Sequence, residues 1–222
     1  MADYSFKFLI DNAVLALQTS DKLCIAKKVC NEFTTIFSAA SMNPERGENP
    51  LYNKNTIVWT EKFRVFATDQ FQHGLLVSSS TKEVEINFGD ASTWSDNQFG
   101  PASPAPITDF IDTDSYNQSF LLRNVPQGLQ AGVTMQVNGK WCPIFVDPNR
   151  HARTSNKQLT PMNEYVLFWD SQLTANVMID QSELADQFHF TFDGGAKTKT
   201  ICFGYAIPEK QGRNESPKFY HV

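Results

Sequence analysis

The chain can be laid on itself. Phe8 to Asn12 (FLIDN) meets Phe120 to Asn124 (FLLRN) at an offset of 112 residues, and Leu17-Gln18 meets Leu129-Gln130 at the same offset. Ile25 to Phe37 meets Val133 to Phe145 at 108, Phe63 to Ser80 meets Tyr165 to Ser182 at 102, and Val84 to Gly89 meets Phe188 to Asp193 at 104. Only 12 of the 44 compared positions are identical, so order carries the argument: the matches are collinear, their apolar positions coincide, and the offsets bracket half of 222. Self-similarity of this kind predicts a tandem duplication. The competing reading is two unrelated runs of strands that share a period of two.

The unit itself reads as β. Phe, Trp and Tyr number 18, 4 and 6, and stretches such as VEINF and HFTF alternate polar with apolar residues, the pattern of a half-buried strand. In HFTF and its preceding residue, Phe188, Phe190 and Phe192 should face a core while His189 and Thr191 face away. Strands are expected near residues 4–11, 22–30, 33–38, 56–68, 74–80 and 83–88, with TKTICFGYAI added in the second half after the Asp193-Gly-Gly195 turn. Asn138-Gly139 is a hairpin signal. Ala13 to Asp21 competes as a short helix. The expected fold is therefore all-β: two tandem, sequence-related, β-sandwich-like units of about 105–110 residues packed with pseudo-twofold symmetry, as residues 1–89 and 119–222 joined by a linker at 90–118, the alternative being two halves that share one core across such an axis. That linker holds Asp90, Asp96, Asp109, Asp112 and Asp114, the Pro-containing GPASPAP, and no Lys or Arg. Its DFIDTD offers oxygens to calcium but lacks the twelve-residue EF-hand pattern, so no cofactor is expected.

Composition removes several classes. A net charge of −5 without a long basic run argues against nucleic acid as a partner. No apolar run approaches the ~20 residues of a membrane span. The N-terminus lacks a basic n-region and a cleavage site, which predicts a cytoplasmic protein or one secreted without a leader peptide. Cys24, Cys30, Cys142 and Cys202 form no CxxC, and Cys24 and Cys30 lie too far apart on one strand to bridge, so free thiols and no metal site are expected. GxGxxG, GxxxxGK[ST], HExxH and GxSxG are all missing.

In a duplicated scaffold, residues that keep the core should agree between copies, and a site made in one copy should differ. Where the first copy has Ala67-Thr68, the second has Trp169-Asp170, and the loop Asp147 to Gln158 carries Arg150, His151, Arg153 and Lys157. An aromatic face beside a carboxylate suits a sugar or another amphiphile, and the basic loop suits an anionic substituent. Trp141, Trp169, Asp170, Arg150, His151 and Arg153 are thus the candidate ligand-binding residues. A terminal Asp is also an ordinary turn former, and a charged loop is also an ordinary solvated one. The chain is similar, as a leaderless aromatic-rich β protein, to small cytosolic lectins and lipid-binding cytolysins.

The leading expectation is a binding protein for a carbohydrate or lipid headgroup. The alternatives are a small-molecule enzyme (cyclase, isomerase or hydrolase) with a pocket between the repeats and Asp170 or His151 as acid or base, and a structural or storage protein. Self-association is compatible with all three.

Overall fold

Alternation sets the first strand. In β1 (Asp3–Ile10), Tyr4, Phe6, Phe8 and Ile10 are buried while Asp3 and Lys7 face solvent, as a period of two requires. The computed structural model describes residues 3–17, 19–43, 49–150, 152–205 and 216–221. After a single helical turn at Asn12–Leu15 come β2 (Lys22–Val29), β3 (Ile36–Ser41), β4 (Lys54–Thr68) and β5 (Val84–Ile86). Then follow β6 (Asp90–Ser95), β7 (Gln98–Phe99), β8 (Ser103–Pro104), β9 (Phe120–Val125), β10 (Gln130–Val137), β11 (Lys140–Val146) and β12 (Ser155–Leu159). The chain ends with β13 (Pro161–Asp170), β14 (Phe188–Thr191), β15 (Thr198–Gly204) and β16 (Lys218–His221). The fold is all-β. Residues 74–80 form no strand; Leu76 makes only an isolated bridge to Val177.

Three sheets enclose the core. One runs β11-β10-β4-β1-β15-β16 with β5 also on β4, a second β12-β9-β6-β7 with β8 also on β6, and a third β14-β13-β2-β3. Phe6 of the first sheet stacks on Phe190 of the third, with ring centroids 5.0 Å apart, and Phe63 meets Phe120 of the second at 5.8 Å. Phe190 and Phe192 are buried and Phe188 half-buried, while the His189 ring lies against Phe33 on the other side of the strand.

Two expectations need correcting. The halves do not stand side by side as separate sandwiches: the first and third sheets draw strands from both, with β10 on β4, β15 on β1 and β2 on β13, and the second sheet joins β9 to β6 of the 90–118 segment. Nor is 90–118 a free linker. It supplies β6, β7 and β8, and buries Ala91, Phe99, Ala105 and Phe110. An acidic, Pro-containing composition gives no sign that β6 has a parallel partner in β9.

The ladders come in matched registers. Each pair of β2 with β13, from Lys22–Asp170 to Val29–Pro161, becomes a pair of β10 with β4 when 108 is added to the first residue and 102 subtracted from the second. Offsets of 102 and 104 carry β4–β5 onto β13–β14. The β2–β3 and β10–β11 hairpins share a bulge after Ile25 and after Val133. Parallel β1–β15 has its match in parallel β9–β6. For β1 and β9, however, the matching offset is 114, which sets Phe6 rather than Phe8 on Phe120. The two-residue difference preserves which face each side chain takes, so apolar pattern is blind to it. Where β4 is one strand of 15 residues, its counterpart is divided into β12 and β13 just before Pro161, which has no N–H for the ladder.

The two hairpin turns show how different residues meet one requirement. Asn138 and Gly139 have φ of 47° and 77°, and Cys30 and Asn31 have φ of 51° and 70°. The Asn138 side chain accepts from Val58 N–H at 2.9 Å, while Cys30 Sγ accepts from Thr160 N–H at 3.5 Å, 102 residues later. A left-handed Cys costs on the order of 1 kcal/mol, which Asn largely avoids. Cys30→Asn should therefore raise stability by about 1 kcal/mol in equilibrium denaturation; a loss would mean the two turns are not interchangeable.

Candidate functional site

The structure separates the residues chosen from sequence. Trp169 is partly buried on β13 among Phe8, Phe203 and Phe219, with centroids 4.9 Å from Phe203, and its Nε1 is buried without a hydrogen-bond partner among the described residues. It packs. Asp170 closes the same strand by accepting from the N–H groups of Gln172 and Leu173, both at 2.7 Å. Arg150 donates to the Asp69 carbonyl at 2.7 Å, and Arg153 is exposed. His151 lies outside the described residues. Lys157 pairs with the buried Asp147 at 2.7 Å. Trp141 is in a different sheet from Trp169, on β11, so the two indoles do not make one platform.

Trp141 nevertheless lines a groove of about 350 Å³ on the outer side of the first sheet, with Lys62, Arg64, Glu85, Asn87 and Gln136. The groove is built across adjacent strands. The Arg64 guanidinium lies over the indole at 3.9 Å from its centroid, an arrangement that combines cation–π attraction with planar stacking. Glu85 holds Arg64 Nη2 at 3.0 Å, and Glu83 sits 3.7 Å from Nη1 while accepting from Thr134 at 3.4 Å. Asn87 is tied to Asp90 by two hydrogen bonds of 3.0 Å. Lys62 and Gln136 have no side-chain partner among the described residues, so each brings unused donors to the groove, and Gln136 an acceptor as well.

The matched face of the third sheet explains why this groove is open. The register puts Val166 where the groove has Arg64 and His189 where it has Glu85, with Ala26 in place of the buried Thr134 beneath it. There Ala26 and Val166 are sealed beneath Leu173, Val177 and Ile179. At the position matching Val166, Arg64 instead lines the open groove beside Trp141. Sequence carried this signal: the alignment that sets Ala67-Thr68 against Trp169-Asp170 also sets Arg64 against Val166.

A larger cleft, about 620 Å³, lies between the Cys30-Asn31 turn and the segment around Asp112, with Lys157 and Met162 in its wall. Burial pushes the Cys30 thiol pKa up, which opposes a nucleophilic role, since the thiolate is the reactive form. Gln158 ties this cleft together by bonding Asp112 N–H at 2.8 Å and its carbonyl at 3.0 Å. Among the described residues no group of three or more His, Cys, Asp or Glu is placed to hold a metal ion. Among the described residues no helix is long and apolar enough to cross a membrane. Comparison with protein-family models, with curated proteins and with solved structures finds no match.

Since Asp170 caps two backbone donors, Asp170→Ala should lower stability by about 1–2 kcal/mol. Equilibrium denaturation measures this directly, and an unchanged midpoint would return Asp170 to the list of ligand-facing groups.

Proposed function

We propose that the protein is a binding module that holds a saccharide in the groove along Trp141. The carrying observation is an indole fixed by Arg64 beside polar side chains with hydrogen-bonding capacity to spare. A sugar ring offers an apolar C–H face to an aromatic surface and hydroxyls to carboxylates and amides, the mixed demand that such a groove meets. Glu85 and Gln136 provide acceptors, and Lys62 and Gln136 provide donors. A glycan array followed by titration of the best binder tests the reading. Trp141→Ala should weaken binding at least tenfold, about 1.4 kcal/mol, in a variant whose circular dichroism is unchanged; Arg153→Ala should leave it alone. A wild-type protein that binds no glycan, or a Trp141→Ala variant that binds as tightly, would sink the proposal.

We also infer that the chain is a duplicated β unit whose two copies exchange strands. Support comes from the matched registers and from bulges at corresponding positions, which two unrelated runs of strands would have no reason to share. Exchange makes a specific demand on a nicked chain. With a protease site inserted between the exposed Thr113 and Asp114, the cleaved fragments should co-elute at the mass of the whole protein and part only in denaturant. Fragments that separate in buffer would show that the halves stand alone.

A further inference from the structure

In the core where β4 crosses β13 sits a polar trio whose counterparts are all apolar. Lys27, Tyr165 and Trp59 are fully or almost fully buried. Lys27 Nζ lies 2.7 Å from the Met162 carbonyl and 2.9 Å from the Tyr165 hydroxyl, and Trp59 Nε1 donates to that hydroxyl at 3.0 Å. The rings of Phe37, Phe190 and Phe192 close in on Tyr165, with centroids 5.2–6.5 Å away. The ladder registers put Met135, Phe63 and Pro161 at the matching positions, so the fold needs no polar group here.

Counting hydrogens identifies the charge state that fits. If Lys27 is an ammonium, the Tyr165 oxygen accepts from both Lys27 and Trp59, and the phenol hydrogen has no acceptor among the described residues. If Lys27 is neutral, its lone pair accepts the phenol hydrogen, one amine hydrogen goes to Met162, and Trp59 still donates to the Tyr165 oxygen. Every short contact is then satisfied. We propose that Lys27 is the proton acceptor of a buried switch, neutral in the closed fold and charged on acidification, when the Tyr165 hydrogen loses its acceptor and the β2–β13 ladder loosens against β4.

The surroundings favour this. Desolvation lowers the Lys27 pKa from 10.5 to about 7, partly offset by the charge of Glu61 on β4, while burial raises Tyr165 well above its ordinary value. From β1, Tyr4 faces the trio with Lys197 above its ring at 4.3 Å. Lys28 and His189 each lie against Glu164 beside the same ladder, at 2.9 and 3.7 Å. No carboxylate forms an ion pair with Lys27 among the described residues. Because Met162 also lines the large cleft beside Cys30, loosening at Lys27 is transmitted to a surface that a ligand can reach.

The sign follows from linkage. Between about 7 and 10.5 the unfolded chain binds a proton at Lys27 that the folded chain does not, so stability rises with pH across that window, by up to tenfold per pH unit in the folding constant. Tyr165, raised above 10, works in the opposite direction only at still higher pH. The test uses the full chain: a 13C titration of lysine Cε resonances from about pH 5.5 to 9.5, and denaturant unfolding of wild type and Lys27→Met over the same range. One resonance should titrate near neutrality, and the wild type should gain stability with rising pH relative to Lys27→Met. If every lysine stays charged through about pH 9, or the two proteins share one pH dependence, the switch is refuted. Should Lys27→Met fail to fold, the titration alone decides.

Discussion

Everything in this protein depends on backbone pairing between its two halves. The first sheet sets β10, β11, β15 and β16 beside β1, β4 and β5, so removal of either half would leave rows of N–H and C=O groups without partners. Unpaired edges next to apolar faces are costly and prone to aggregate. Mutual pairing removes them and at the same time brings Phe6 to Phe190 and Phe63 to Phe120. Core and connectivity are therefore one constraint.

Shared geometry makes departures from it informative. Val166 is sealed under an apolar cover, while Arg64 at the matching position lines an open groove. Lys27 and Tyr165 are buried polar groups where Met135 and Phe63 suffice. Burying an amine costs several kcal/mol unless it sheds its proton or finds a partner, so the Lys27 position calls for a reason other than packing.

Local chemistry decided much of what the sequence made legible. Alternation in Tyr4, Phe6, Phe8 and Ile10 needs only the two-residue period of a strand, and Asn138-Gly139 announces its turn because both residues tolerate positive φ. The turn at Cys30-Asn31 was less visible, since Cys is not a residue that favours that conformation. The groove residue Arg64 was already set against Val166 by the alignment. Trp169-Asp170 carries a misleading signal, because a large aromatic beside an acid has the same composition whether it lines a pocket or packs beneath one.

The facing of β1 and the turn at Asn138-Gly139 were thus properties of the sequence itself, while 74–80, expected as a strand, forms none and 90–118, expected as a linker, supplies β6, β7 and β8. Tertiary structure alone decided which half each strand pairs with, because β2, buried on both faces, carries no pattern that distinguishes β4 of its own half from β13. It also decided the slip from 112 to 114 that matches β1 with β9, since a shift by two leaves every side chain on its face. Hydrophobic patterning is a one-strand property and fixes neither partner nor register. Those are chosen by hydrogen bonding across the whole sheet, where Trp141 meets Arg64 and Lys27 meets Tyr165.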